Sequence, residues 1–284
     1  MLATSHDSQW AVLRRGRTLS LYASGALVRT LTLPDEDDAI TFVGPPTVLA
    51  RVSNAHAPVP TRIELLSLPS LAVAAHLDLD ARLKLFAVNG PRLALVGPDH
   101  LGHLTKVVVV RTAGHGLAAQ PLDTNGVPVE NIAGTGERWW LVLRKDAQQF
   151  NDAISARLIG RPQLPLPPAP RMIGAALGHV WVTPTNSETL FIYRMSDGRP
   201  FRHHAGATIQ AVICHPASPV IVVVTPRGLV RLHCQAHSLS LIESPWVPNT
   251  DLALLAPGAE DVSLLGIPPD SETPWRVPIS KPHT

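Results

Sequence analysis

Lysine and cysteine are scarce in this chain of 284 residues. The two cysteines, Cys214 and Cys234, are too few for a disulfide framework. Lysine occurs only at Lys84, Lys106 and Lys145 and once near the C-terminus, so arginine carries most of the positive charge and the formal net charge is only +2. Nucleic-acid binders usually show a dense basic stripe, and this sequence has none, so we expect no nucleic-acid partner.

Long hydrophobic runs are also missing. The longest, such as "TKVVVVRT" and "SPVIVVVTP", have the length of a strand and fall far short of the roughly 20 residues that a membrane helix needs. The first residues, "MLATSHDSQW", lack the basic region and apolar run of a secretory signal. We therefore expect a cytoplasmic protein with no membrane insertion.

Short β-branched runs separated by Gly, Pro, Asn and Asp clusters fill the whole chain, a pattern typical of strands joined by turns. Hydrophobic residues make up 45% of the chain and charged residues 16%, a balance that can bury a large core. The runs fall into groups that repeat every 37 to 46 residues or so, roughly the period of one four-stranded propeller blade. The first strands of successive groups begin near Ala39, Leu83, Val129, Arg171, Ile209 and Leu252.

This periodicity predicts an all-β fold, a single β-propeller domain over residues 1–284. With the N-terminal group included, we predict seven blades of four antiparallel strands. Six blades are the alternative, if the incomplete first and last groups merge into one blade. Because each blade buries its faces against two neighbours, either number requires the ring to join its ends. No segment sustains the 3.6-residue apolar period of a helix.

One segment, "HHAGATIQAVICHPASPVIVVVTPRGLVRLHCQ", resembles a WD40-type repeat. It has a His-containing loop before the first strand, a His-Pro turn at His215 and Pro216, and a Gly-containing turn at Arg227 and Gly228. The Trp-Asp ending of the third strand is missing throughout, and Tyr22, Tyr193 and His233 stand near that place instead. The chain thus resembles divergent WD40-like and YVTN-like bacterial β-propellers, without the hydrogen-bonded tetrad of the WD40 family.

Cysteine and histidine supply one candidate metal site, Cys214-His215 with His233-Cys234, because thiolate and imidazole are the usual zinc ligands. Adjacent strand residues point to opposite faces, so each pair offers only one member to a shared site. The favoured interpretation is that both cysteines are small buried hydrophobes. Four further histidines lie in predicted loops, where histidine is usually solvated: His100, His103, His203 and His204. We predict no metal and no cofactor.

Acidic and amide side chains at the starts of first strands are the second candidate site, since propeller enzymes such as calcium-dependent lactonases place such groups in the central channel. The candidates here are Asp38, Glu130, Asn131 and Asp251. Glu130 and Asn131 point opposite ways, and the acidic run from Asp35 to Asp38 is interpreted as a solvated loop between blades. Neither G-x-S-x-G nor H-E-x-x-H occurs. We assign no catalytic residue.

Two functional classes remain. The favoured one is a non-catalytic protein–protein interaction scaffold, a subunit of a bacterial multiprotein assembly. By analogy with divergent bacterial propellers of this size, its partner would be an AAA-type ATPase or a von Willebrand A-domain protein, although no residue motif ties the chain to either. The alternative is a propeller hydrolase or lactonase with a divalent metal in the central channel.

The candidate partner surface follows from the resemblance to WD40-like blades. In such blades the loops between the second and third strands emerge on the same end as the loops that lead into the next blade. Cationic groups near an aromatic are favoured at interfaces because arginine can hydrogen-bond and stack at once. This rule predicts an acidic protein partner bound by Arg14, Arg15, Arg17, Arg144, Lys145, Phe150, Arg202, His203 and His204.

Overall fold

A computed structural model describes most of the chain as antiparallel β-strands joined by turns. The described residues contain no helix, and so none that could cross a membrane. By its internal contacts the chain divides into two compact units, Met1–Phe150 and Asn151–Thr284. The structure describes residues 1–54, 60–113, 116–122, 124, 126–135, 138–143, 155–158, 167, 170–194, 198–215, 218–234, 238–256, 261–271 and 273–279.

The first unit contains three four-stranded sheets, in which each strand pairs with the next along the chain, and a further antiparallel pair. The first sheet consists of β1 (Leu2–Thr4), β2 (Trp10–Arg15), β3 (Thr18–Ala23) and β4 (Ala26–Thr32). The second has β5 (Ala39–Phe42), β6 (Val48–Ser53), β7 (Thr61–Ser67) and β8 (Ala72–Leu79). The third has β9 (Lys84–Asn89), β10 (Arg92–Gly97), β11 (Lys106–Ala113) and β12 (Gly116–Leu122), and the further pair is β13 (Val129–Thr135) with β14 (Arg138–Leu143).

The second unit begins with the short strand β15 (Ser155–Leu158) and continues with two four-stranded sheets and one three-stranded sheet. The first sheet consists of β16 (Pro170–Ala176), β17 (His179–Pro184), β18 (Thr189–Arg194) and β19 (Pro200–His204). The next has β20 (Ala211–Cys214), β21 (Val220–Thr225), β22 (Gly228–His233) and β23 (Ser238–Leu241). The last has β24 (Asp251–Leu255), β25 (Ser263–Ile267) and β26 (Trp275–Pro278).

Within each unit the sheets stack through their first strands. In the first unit β1 contacts β5, β5 contacts β9, and β9 contacts β13. In the second, β16 contacts β20 and β20 contacts β24. The cores lie between successive sheets: Val12 and Leu21 of the first sheet, for example, pack with Leu49 and Leu66 of the second. The middle strands are buried on both faces, so they are continuous apolar runs, whereas the fourth strands lie at the edge and are mostly exposed.

The predicted strand groups agree with the structure, because their first strands begin at or within two residues of the predicted positions. The three-residue strand β1 supplies the first strand that the N-terminal group lacked. The number of seven blades is not confirmed, since the last sheet has three strands and the break "RKDAQQFND" lies outside the described residues. Tyr22 and Tyr193, at the place of the missing tryptophans, are fully buried.

Three hairpins share a close pairing of glycine with tryptophan that the strand pattern does not reveal. Gly134 lies opposite Trp139 in the β13–β14 pair. Gly174 lies opposite Trp181 in the β16–β17 pair, and Gly266 lies opposite Trp275 in the β25–β26 pair. At each glycine, an added Cβ would collide with the indole ring of its partner. Glycine is therefore required in these strands because the ring lies directly over the backbone.

Candidate functional site

The predicted arginine patch of the first unit, Arg14, Arg15 and Arg17, surrounds the turn between β2 and β3. The turn itself needs glycine, since Gly16 has a φ of +54°. Arg14 donates a hydrogen bond through Nη1 to the carbonyl oxygen of Asp38, and Arg17 Nε donates to the carbonyl oxygen of Leu33 at 2.9 Å. Arg14 and Arg17 thus hold the two ends of loop 33–38, which connects β4 to β5.

Loop 33–38 forms one side of a cavity of about 250 Å³. The cavity is bordered by acidic groups from this loop and by basic groups from the residues at the start of β9. Apolar side chains of Ala39, Val52 and Leu85 complete the lining. The polar lining residues are Asp35, Asp37, Asn54, Arg82 and Lys84.

Hydrogen bonds hold both sides of this cavity in place. On the acidic side, Asp35 Oδ1 accepts a hydrogen bond from the backbone N–H of Asp37 at 3.0 Å. On the other side, the hydroxyl of Thr61 lies 2.8 Å from Asn54 Oδ1 and 2.7 Å from the carbonyl oxygen of Ala81. The same hydroxyl accepts a hydrogen bond from the N–H of Leu83 at 2.8 Å. The connection that carries Arg82 is therefore fixed by a buried threonine.

A buried group of charges lies on the opposite face of the second sheet. Arg51 forms an ion pair with Glu64 across β6 and β7, and its Nε lies 4.0 Å from a carboxylate oxygen of Asp38. Asp38 is only 1% exposed and Glu64 only 8%. Asp38 was a candidate for a channel metal, but its carboxylate is directed at an arginine instead.

The second unit carries the other predicted cationic residues on its edge strand. The strand β19 contains Arg202, His203 and His204. The prediction that the two histidines lie in a loop was therefore wrong. The guanidinium of Arg202 lies over the ring of Phe191 at 5.3 Å, and His204 Nε2 lies 3.1 Å from a carboxylate oxygen of Glu188. The side chain of His203 is 9% exposed, so we leave it out of the proposed surface.

The remaining partner-surface residues lie outside the described part of the chain: Arg144, Lys145 and Phe150.

The cysteines pack in the core cluster between the last two four-stranded sheets of the second unit. Burial raises the pKa of the Cys234 thiol to about 12 and also raises the pKa of Cys214. Burial, with a smaller effect of Arg231, lowers the pKa of His233. In the part of the chain that the structure describes, no group of three or more His, Cys, Asp or Glu residues is placed to hold a metal ion.

His100 and His103 lie in the loop between β10 and β11, as expected. The Asp99 carboxylate organises this loop by accepting hydrogen bonds from the N–H groups of Leu101 and His103 and from the hydroxyl of Thr105. Partial desolvation opposes ionisation of Asp99, but these hydrogen bonds outweigh it and lower its pKa.

The other acidic and amide candidates are described one by one. Asn131 Oδ1 accepts a hydrogen bond from the N–H of Ile132 at 2.8 Å. Asp251 begins β24, in the second unit. The side chain of Glu130 is not among those that the structure describes.

Sequence reasoning missed the cavity. The acidic residues Asp35 and Asp37 were interpreted as part of a solvated loop, and Arg82 and Lys84 were not considered. The signal that could have found them is position, because each pair lies at or shortly before the start of a first strand, at the same end of adjacent sheets.

No protein-family model matches this chain, and no curated protein is similar to it in sequence. Its fold, however, is similar to that of many solved structures. One is U3-55K, with a TM-score of 0.63 and 11% identity over 98% of this chain and 94% of that chain. Another is BBS1N in complex with ARL6DN, with a TM-score of 0.63 and 18% identity over 97% of this chain and 88% of that chain.

A third similar structure is that of the WD40 repeats of RRP9, with a TM-score of 0.60 and 11% identity over 93% of this chain and 85% of that chain. At such low identity the likeness concerns the fold alone. It agrees with the stacked antiparallel sheets described above and with the WD40-like segment in the sequence. The fold of this chain is a β-propeller, and it is similar to that of solved WD40 proteins.

Proposed function

We propose that this propeller is a non-catalytic scaffold that binds an acidic protein partner. The main support is the guanidinium of Arg202, which is exposed and lies over the ring of Phe191. The pair formed by His204 and Glu188 lies next to it in the same sheet. A guanidinium that stacks on an aromatic ring is held in place, so less conformational entropy is lost when it binds a carboxylate. In the first unit, Arg15 and Arg17 flank the turn at Gly16, next to loop 33–38.

A protein partner also agrees with one structural neighbour, since BBS1N was solved in complex with ARL6DN. We further propose that the chain has seven blades in a single domain and works in the cytoplasm, as a subunit of a bacterial multiprotein assembly. An AAA-type ATPase or a von Willebrand A-domain protein remains the candidate partner by analogy alone.

The test is a native pull-down with charge-reversed variants. Arg15→Glu and Arg202→Glu place a negative charge on each patch, and a second variant reverses Arg144 and Lys145. Arg14 is left unchanged because it holds loop 33–38. Arg29→Glu is the matched control, since Arg29 is exposed on the edge strand β4 and belongs to neither patch.

The proposal predicts that a partner recovered with the wild type and with Arg29→Glu is lost from the patch variants, while circular dichroism shows an unchanged fold. Equal recovery with all variants would place the binding surface elsewhere. Elemental analysis of the same preparation tests the alternative function: stoichiometric calcium, zinc or manganese would favour the hydrolase.

A further inference from the structure

The cavity between loop 33–38 and the start of β9 holds charges of opposite sign that do not neutralise one another. Asp35 and Asp37 come from the connection into β5, Arg82 comes from the connection into β9, and Lys84 is the first residue of β9. Among the residues that the structure describes, none of these four side chains forms an ion pair. Two acids and two bases thus face one space of about 250 Å³ without being paired.

This separation is built into the fold. Arg14 and Arg17 hold both ends of the acidic loop, and Thr61 fixes the basic connection through Ala81 and Leu83. These hydrogen bonds fix the backbone on each side of the cavity, so the chain carries the four charged groups to its rim at set positions. A ligand that bridges the two sides gains both interactions with little cost in ordering the site.

The chemistry of the lining restricts the ligand. Carboxylates on one side accept hydrogen bonds from an ammonium, and a guanidinium and an ammonium on the other side donate to a carboxylate. The carbonyl of Asn54 already contacts Thr61, so its amide N–H groups are left to face an anion. The side chains of Val52 and Leu85 provide an apolar surface.

We propose that this cavity binds a small zwitterion of the α-amino-acid class, as a free amino acid or a dipeptide. The ammonium of the ligand contacts Asp35 and Asp37, and its carboxylate contacts Arg82, Lys84 and the amide of Asn54. The cavity is below the usual range of roughly 300–1,000 Å³ for drug-sized ligands, which matches a molecule of this size. This inference is independent of the proposed scaffold function.

The experiment is a titration of the full chain with single L-amino acids and simple dipeptides, followed by ligand-observed NMR and calorimetry. Each binder is compared with its N-acetyl derivative, which lacks the ammonium, and its amide, which lacks the carboxylate. Two variants remove one charge each, Asp37→Asn and Arg82→Ala, with Lys84→Ala as a second test of the basic side. Arg29→Ala is the matched control.

We expect at least one amino acid or dipeptide to bind. Removing either charge, from the ligand or from the cavity, should weaken binding at least about tenfold, the usual effect of losing a charge-assisted hydrogen bond. Arg29→Ala should bind as the wild type does. Comparison of the two affinities shows whether the cavity prefers a free amino acid or a dipeptide.

The proposal is overturned if nothing in the panel binds at about 10 mM, a concentration that would detect even weak millimolar ligands. It is also overturned if singly charged derivatives bind equally well, or if folded Asp37→Asn and Arg82→Ala proteins keep wild-type affinity. Asp37 and Arg82 are exposed, so neither substitution removes a core contact.

Discussion

Arg51 illustrates how this chain fills a polar position inside a propeller without the tetrad of the WD40 family. Its guanidinium lies on β6 between Glu64 of β7 and Asp38 at the entrance to β5. Taking these charges out of water is costly, and only their mutual attraction offsets that cost. The cluster therefore stabilises the second sheet only while all its members are present.

Replacing Arg51 with methionine should destabilise the protein by about 3–5 kcal/mol, because it leaves two buried carboxylates without a cation. The matched control is Arg62→Met, which removes an arginine from the neighbouring strand β7, where Arg62 Nε lies 2.7 Å from Asp78 at the surface. That change should have little effect, since water screens exposed pairs. Denaturant unfolding of both variants measures the difference, and equal midpoints would refute the argument.

The buried thiols give a prediction about alkaline pH. Their pKa values are raised in the folded protein, to about 12 for Cys234, whereas unfolded thiols ionise near 9. The unfolded chain therefore loses protons first as the pH rises. Stability from this source is complete below pH 9 and declines between pH 9 and about 12.

Cys234→Ala should reduce this decline and should cost only roughly 1 kcal/mol at neutral pH, as small core substitutions do. Urea unfolding at a series of pH values checks both effects. In the native wild type, neither cysteine should react with iodoacetamide at pH 8, because the thiolate is the nucleophile. Rapid labelling of Cys234 in the folded protein would show that the thiol is not buried.

At the scale of the strand, the sequence pattern predicted most of what the structure contains. Continuous β-branched runs such as "VIVVVT" became middle strands because both of their faces are covered by neighbouring sheets. Strand starts agreed to within two residues because Gly, Pro and Asp clusters disrupt pairing on either side. What the pattern missed were contacts across strands, since a period of two says which face a residue occupies but not what it meets there.

The glycine–tryptophan pairs are such contacts. Gly134→Ala should destabilise the β13–β14 pair, because a Cβ there would lie 2.6 Å from the Trp139 ring and 2.5 Å from the Cβ of Asn89. Overpacking of this kind costs about 1–3 kcal/mol. Thermal unfolding of Gly134→Ala, Trp139→Leu and the double variant measures the coupling. The double variant should be more stable than the sum of the two single effects allows, and simple additivity would contradict the direct contact.

The site was harder to predict than the strands for a similar reason. Arg14 and Arg17 were interpreted as docking groups from charge and position alone, yet both donate to backbone carbonyls of loop 33–38. His203 was assigned to the partner surface by the loop rule of WD40-like blades, but it lies in β19, where the alternation of the strand buries it. Whether an arginine can bind a partner depends on whether a neighbouring loop already accepts its hydrogen bonds. The local sequence pattern does not predict how that loop folds.

At the scale of the whole molecule, stability depends on each sheet being covered by the next one. In the second unit, Val220, Val222 and Leu229 of the β20–β23 sheet pack against Leu254 and Leu264 of the last sheet. Each such side chain contributes roughly 1.5–3 kcal/mol when fully buried. Exposing several of them together removes an amount similar to the entire stability of a typical domain, about 5–15 kcal/mol.

Deleting residues 251–284 should therefore abolish soluble folding. The deletion uncovers this apolar face and removes the carbonyl of Ile279, which accepts a hydrogen bond from the buried guanidinium of Arg231 at 2.8 Å. Deletion of residues 280–284 alone is the control, because it keeps β24, β25, β26 and Ile279. Expression, size-exclusion chromatography and urea unfolding distinguish the two proteins. A protein lacking residues 251–284 that is monomeric, soluble and cooperative in unfolding would show that the last sheet is dispensable for the fold.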